Sequence, residues 1–280
     1  MGLPILCAEN VLNDVQFPAH VVTANEEAAG AEVWHLGNGR RSASDYWAPT
    51  TANNIAWARS VFDAPRSVNF VALDRGHNLA GENVQVWVTD AATDFSGAKT
   101  VAVNATIPSA TATGDLDDTN GIVTEDGTWV KRFTTLTSQD AVQLYLPAMG
   151  AGLTPLVVGC WIGNSLEFAR PFDLPWDEDS FEGVVQETES DAGWFGRGPI
   201  TKRRRGEIGI RFVSDAEYTT ARPHLQAFGL GKPTWLIYDQ AVADRAVLAL
   251  HRGRLGAQYT DGWWAKRRTL LEWVEWEPAA

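Results

Sequence analysis

Along most of this 280-residue chain, apolar and polar positions alternate with the two-residue period of a strand. SVNFVALDRG (67–76) sets Val68, Phe70 and Ala72 against Asn69, Val71 and Leu73 and stops at Gly76, while ENVQVWVTD (82–90) alternates Val84, Val86 and Val88 and stops at Asp90. Both read as half-buried or fully buried strands. TWVKRFTTL (128–136), AVQLYLPA (141–148) and LVVGCWIGNSLEF (156–168) continue the series, rich in β-branched and aromatic residues and separated by Gly, Pro, Asn and Asp. This spacing is the rhythm of a β-sandwich. The polar stretch Ala91–Asp126 breaks it and predicts a protruding loop, since AATDFSGAK and TATGDLDDTNG are turn chemistry throughout. EEAAGAEVW (26–34) has a faint helical look.

ARPFDLPWDEDSFEG (169–183), with two prolines and five carboxylates, joins units more readily than it forms an element. Strands then resume in GEIGIRFVS (206–214), PTWLIYDQ (233–240), RAVLALHRG (245–253), AQYTDGWWAKRR (257–268) and TLLEWVEWEP (269–278). Between them, DAEYTTARPHLQAFGLG (215–231) places Tyr218, Ala221, Leu225 and Phe228 near helical spacing, with Pro223 as a kink. The expected chain is all-β. Residues 1–170 form a jelly-roll sandwich, and residues 171–280 form a smaller β-rich domain with at most one short helix.

Length allows each unit a core of its own, and Cys7 and Cys160, the only cysteines, read as buried free thiols rather than a disulfide framework. No run approaches the ~20 apolar residues of a membrane helix, and MGLPILCAEN lacks the basic and apolar regions of a signal peptide. The expectation is a soluble product made in a cytoplasm, with no membrane partner. Charge is polarised: residues 1–196 carry a net −17 and residues 197–280 a net +5, within a total of −12. An acidic chain is a poor nucleic-acid binder, because affinity for phosphate backbones comes from lysine and arginine. Lys202, Arg203, Arg204 and Arg205 form the basic exception and read as a solvated turn or a protein interface.

Motifs for chemistry are sparse. No glycine-rich phosphate loop, cysteine or histidine ligand cluster or nucleophile elbow occurs, and no cofactor is expected. In GDLDDTNG, Asp115, Asp117 and Thr119 fall at alternate positions of a calcium-like loop and Asp126 stands where a closing carboxylate would be, but glycine comes one residue late at Gly121, Asp replaces the closing Glu and flanking helices are not expected. The carboxylates Asp177, Glu178, Asp179 and Glu182 belong to an acidic linker, and sequence spacing fixes no catalytic distance. An enzyme is not expected. The loop SASDYWAPTTANNIAW (42–57) is heavy with rings for a loop: Trp47 and Trp57 are expected to plug the sandwich, and Tyr46 to stay partly exposed.

The block DYWAPTTANNIAWARSVFDAPRSVNFVALDRGHNLAGENVQVWVTD, followed by DGTWVKRFTTL and LTPLVVGCWIGNSLEF, resembles the galactose-binding-like, discoidin-type jelly roll over residues 10–168. The second part, with RRRGEIGIRFVSDAEYTTARPHLQAFGLGKPTWLIYDQ and the ending LLEWVEWEP, resembles tail and baseplate proteins of long-tailed bacteriophages. That resemblance implies a structural component of a phage tail tip, located in the virion tail after assembly in the host cytoplasm. Its partners would be itself, as a homo-oligomeric ring, and neighbouring tail proteins. Trp263, Trp264, Trp273 and Trp276 would then anchor the interface beside Lys202–Arg205. The alternative is a lectin-like protein that grips a glycan through Tyr46 and Trp47.

Overall fold

Two strands of eighteen residues organise the first half of the chain. The computed structural model describes residues 3–14, 16–38, 45–52, 54–91, 95–111, 116–124, 126–150, 152–169, 181–184, 187–189, 195–197, 201–212, 214–229, 233–238, 246–251, 257–258 and 267–275. In chain order these form β1 (Ile5–Cys7), β2 (Val21–Ala24), a 3-10 turn (Val33–Leu36), β3 (Ala56–Leu73), β4 (Asn83–Thr89), β5 (Thr100–Thr106), β6 (Ile122–Val123), β7 (Trp129–Leu146), β8 (Cys160–Gly163) and β9 (Leu166–Glu167). There follow β10 (Phe181–Val184), β11 (Glu187–Glu189), β12 (Phe195–Arg197), β13 (Thr201–Phe212), α1 (Asp215–Gly229), β14 (Thr234–Ile237), β15 (Ala246–His251), β16 (Ala257–Gln258) and β17 (Arg267–Glu275).

β3 and β7 pair along their length, with the register breaking between Val61 and Phe70 and Ser138 taking φ 56. The expected separate strands at 128–136 and 141–148 are therefore one strand with a bulge. On one side of the break lie β2, β4 and β5; on the other lie β6 and β8. Ala56, Ala58, Val84, Val86, Val142 and Leu144 from the first half share one core with Val68, Val71, Leu73, Trp129 and Ile162 from the second. The sheet thus folds over on itself into a sandwich. Within the polar stretch Ala91–Asp126, expected to contain a protruding loop, β5 is a strand: TVAVNAT buries Val103 and Ala105 in that core.

The second large sheet runs β10-β13-β17-β15-β14-β1-β9, with β16 on β17. Ile5, Leu6 and Cys7 stand opposite Ile237, Leu236 and Trp235. Alternation then serves two cores at once. Ile5, Cys7, Trp235, Ile237, Ala246 and Leu248 pack on Phe70, Ala72, Ile122, Val130 and Trp161 of the sandwich. Leu6, Leu236, Val247 and Ala249 share the opposite face with Ile208, Ile210, Phe212 and Trp273, where Ala221 and Leu225 of α1 join the same core. The layers run from α1 through the second sheet to the two halves of the first. This explains why residues 70–73 are apolar in both parities, since β3 is covered on both faces there. A boundary at residue 170 is a proposal that this sheet qualifies, because β1 lies before it in sequence and pairs beyond it.

α1 starts at Ser214, whose Oγ accepts the Glu217 N–H at 3.1 Å, with Asp215 and Glu217 in the first turn where the helix dipole favours them. Both cysteines are buried and free, and burial pushes each thiol well above its ordinary pKa.

Two predictions arise from this packing. At Gly163 in β8 an added Cβ would sit 2.1 Å from the Glu9 carbonyl oxygen, because the segment after β1 crosses β8 backbone to backbone. Gly163→Ala is expected to cost about 1–3 kcal/mol, read from the denaturant midpoint; an unchanged midpoint would contradict the close approach. The second concerns pH. Burial lowers the pKa of His77 and of His224, and His77 Nδ1 accepts the Leu79 N–H at 3.2 Å, which fits a neutral ring. The unfolded chain takes up these protons below about pH 6.5 and the folded chain does not, so their contribution is whole above that pH. It is lost on acidification at up to about 1.4 kcal/mol per pH unit and ring. Glu9 works in the opposite sense: burial raises its pKa, so its stabilising contribution is present at acid pH and lost as pH rises through the raised value. Urea midpoints should fall between about pH 7.5 and 5.5; a flat profile would refute the neutral-ring assignment.

Candidate functional site

The aromatic loop divides as its burial dictates. Trp47 is withdrawn from solvent at 0% exposure, with its Nε1–H on the Glu26 carbonyl at 3.2 Å and its backbone bridging Val157. It plugs the sandwich and offers no ring to a ligand, which corrects its place beside Tyr46 as a glycan contact. Tyr46 is partly exposed. Trp57 departs from the expected plug, since it points outward from β3 with the Arg59 guanidinium 4.5 Å above its ring. Sequence pattern did not single out Trp34, which is 46% exposed and stacks at 3.8 Å on His35, itself held between Glu32 and Asp45 at 3.2 Å each.

Outward positions of β3, β7, β4 and β5 build a continuous face. Register sets Trp57 opposite Tyr145, Tyr145 opposite Gln85, and Gln85 opposite Asn104. One row further along, Arg59 faces Gln143 and Gln143 faces Trp87. The Trp87 ring stacks on Tyr145 at 3.9 Å, and Lys99 Nζ lies 3.6 Å from its centroid. Beside the rings runs an amide network. Gln85 Oε1 accepts the Trp87 Nε1–H at 2.8 Å; Gln85 Nε2 donates to Asn83 Oδ1 at 3.2 Å; and Asn104 Oδ1 accepts from Asn83 Nδ2 at 2.9 Å. Asn104 Oδ1 also accepts from Gln85 Nε2 at 3.4 Å, and the Asn104 residue itself is exposed. Val101, 48% exposed, stands opposite Trp87 and extends the apolar part of the face. The face therefore combines apolar ring surface, oriented amide donors and acceptors, and a cation at either end.

A second concavity of about 780 Å³ opens on the flank between β5, β7 and β9, lined by Thr100, Lys131, Arg132, Phe133, Thr135 and Glu167 among others. Arg132 is bridged to Asp117 at 2.6 Å and to Glu167, and the Arg132 guanidinium holds the Asp117 carboxyl below its usual pKa range. Lys131 donates to the Asp118 carbonyl, and burial lowers its pKa. Asn69 clamps the wall by accepting from the Ser165 N–H at 2.6 Å and donating to Thr135 Oγ1 at 3.2 Å. These charged groups satisfy one another, so the groove reads as a braced seam between layers.

The remaining candidates fall apart in space or into the core. Asp117 serves Arg132, while Asp126 accepts the Thr128 N–H at 3.2 Å and lies 3.9 Å from Arg75; Asp115 lies outside the described residues. Among the described residues no His, Cys, Asp or Glu group of three gathers for a metal. Arg204 is half-buried and paired to Glu275 at 3.1 Å across β13 and β17, and Arg205 is exposed. Lys202 and Arg203 continue β13, with backbones opposite Gly183 and Glu182. Trp273 packs in the core beneath α1, which corrects its expected interface role; Trp263, Trp264 and Trp276 lie outside the described residues, as do Asp177, Glu178 and Asp179.

No family model and no curated protein matches the sequence. Among solved structures, chitosan-binding module 1 of a chitosanase/glucanase from Paenibacillus sp. IK-5 is 16% identical and covers 56% of this chain and 99% of its own, at a TM-score of 0.40. Module 2 of that enzyme, in complex with chitotriose, is 13% identical over 55% of this chain and 100% of its own, also at 0.40. CpGH89CBM32-4 from Clostridium perfringens is 11% identical over 56% and 99%, at 0.37. The first two are named as chitosan-binding modules. Similarity at this level assigns this chain neither a ligand nor a site. The expected identification as a phage tail or baseplate component is not what these comparisons return, and that reading, with its ring of subunits, is withdrawn.

Proposed function

We propose that the chain is a non-catalytic glycan-binding protein whose contact surface is the outer face of β3, β7, β4 and β5. The observation that carries this reading is the placement of Trp57, Tyr145 and Trp87, all partly exposed on three adjacent strands, beside the pre-bonded amides Asn83, Gln85 and Asn104. Residues 70–73 of β3 are buried on both sides, whereas Trp57, Tyr145 and Trp87 belong to none of the cores formed by the described residues. A sugar ring has an apolar C–H face and a rim of hydroxyls. Aromatic surface takes the first, and amides fixed by their neighbours take the second with little ordering cost. Cross-strand rings also stabilise a sheet by up to about 1 kcal/mol per pair, so exposure alone decides nothing. The amide network does, because a purely structural ladder has no use for a row of amides that ends on the exposed Asn104.

Full-length chain on a glycan array is expected to return specific binding. Asn104→Ala, at an exposed position, should weaken it about tenfold with an unchanged melting temperature, while Tyr46→Ala should leave it intact. Binding lost in Tyr46→Ala and kept in Asn104→Ala would move the site to the loops.

A further inference from the structure

The face has a sign. On the strand parity of these rings stand Trp57, Arg59 and Val61 on β3, Ala141, Gln143 and Tyr145 on β7, Asn83, Gln85, Trp87 and Thr89 on β4, and Val101, Asn104 and Thr106 on β5, with Ala141, Gln143 and Thr89 themselves buried. None of these is acidic; Asp63, the next residue of that parity on β3, lies past the break in register and is paired to His20 at 3.0 Å and Arg66 at 3.1 Å. Both cations of the face sit over ring faces, Arg59 on Trp57 at 4.5 Å and Lys99 on Trp87 at 3.6 Å. They bracket the aromatic row at its two ends. Since β7 lies between β3 and β4, and strands are about 4.8 Å apart, the bracket spans about 10 Å across the sheet. Lys99 is exposed, and its bond to the Phe95 carbonyl at 3.3 Å uses one of three donors. A cation held by an aromatic ring and one carbonyl is already ordered and pays little entropy to engage an anion.

We infer that the ligand of this face is an acidic polysaccharide, whose carboxylate or sulfate groups meet Arg59 and Lys99 while the sugars between them lie along Trp57, Tyr145 and Trp87 and hydrogen-bond to the amides. This rests on the glycan reading of the same face and names its substrate class. Local charge complementarity selects the occupant: a neutral glycan makes no use of the two cations that flank the rings.

Affinity electrophoresis of the full chain through gels containing polygalacturonate, alginate, hyaluronan, dextran sulfate or neutral dextran tests it. At least one acidic polymer should retard the chain, and neutral dextran should not. Polygalacturonate, alginate and hyaluronan report carboxylate recognition, and dextran sulfate against dextran reports sulfate. Lys99→Gln should raise the dissociation constant about tenfold, as should Arg59→Gln, with Arg59→Lys recovering part of the loss. Raising salt from about 0.05 to about 0.2 M should weaken binding several-fold. Four results would overturn the inference: no acidic polymer bound; acidic binding indifferent to both Lys99→Gln and Arg59→Gln; equal competition by single-stranded DNA; or binding to neutral glycans alone. In the last case, loss of neutral-glycan binding in Asn104→Ala with Lys99→Gln unaffected would leave the glycan reading standing and remove only its acidic specificity.

Discussion

Trp235→Ala is expected to destabilise the chain by about 3–5 kcal/mol while leaving unfolding a single cooperative transition. Trp235 is fully buried, stands opposite Cys7 of β1 and Leu248 of β15, and fills the core shared by the second sheet and the sandwich. Truncating it leaves a cavity between two layers that neither can close alone. The loss is consequently felt by both parts, and thermal unfolding followed by near-ultraviolet circular dichroism and by far-ultraviolet signal should shift together. Two separated transitions, with only one displaced, would show that the layers fold independently.

Trp87→Ala is expected to cost about a hundredfold in glycan affinity, read by titration calorimetry, for about 1–2 kcal/mol of stability. Its ring carries Lys99 on one side and Tyr145 on the other, and its indole N–H fixes Gln85. One substitution therefore releases a cation, a neighbouring ring and the amide row together. A structural ladder would show the stability loss alone, so retained affinity in a folded Trp87→Ala would assign the rings to the sheet rather than to a ligand.

The all-β class was legible wherever the two-residue period met turn residues, as at Val84, Val86 and Val88 ending in Asp90. Other parts were hidden for physical reasons. β5 lay unseen because Val103 and Ala105 are a short inward pair between two stretches of turn chemistry. The double coverage of Phe70 and Val71 was visible as apolar residues in both parities, but the partner on the far face comes from Trp235 and Ile237, more than 160 positions away, and periodicity carries no information about pairing. At the site, the sequence showed an abundance of rings and not their direction. Tyr46 and Trp47 drew notice as neighbours in a polar loop, whereas Trp57, Trp87 and Tyr145 are brought together only by strand register. Alternation did hold their signal, since Trp87 shares its parity with Asn83 and Gln85, opposite to the buried Val84, Val86 and Val88.

The most direct test is hydrogen exchange on the full chain with and without a saturating glycan identified on the array. Ligand seated on the outer face should slow exchange across residues 83–89, 100–106 and 141–146 and leave the flank groove at residues 131–136 and 165–167 unchanged. Protection confined to that groove or to the loop at residues 45–52, with the strands of the face unaffected, would contradict the account.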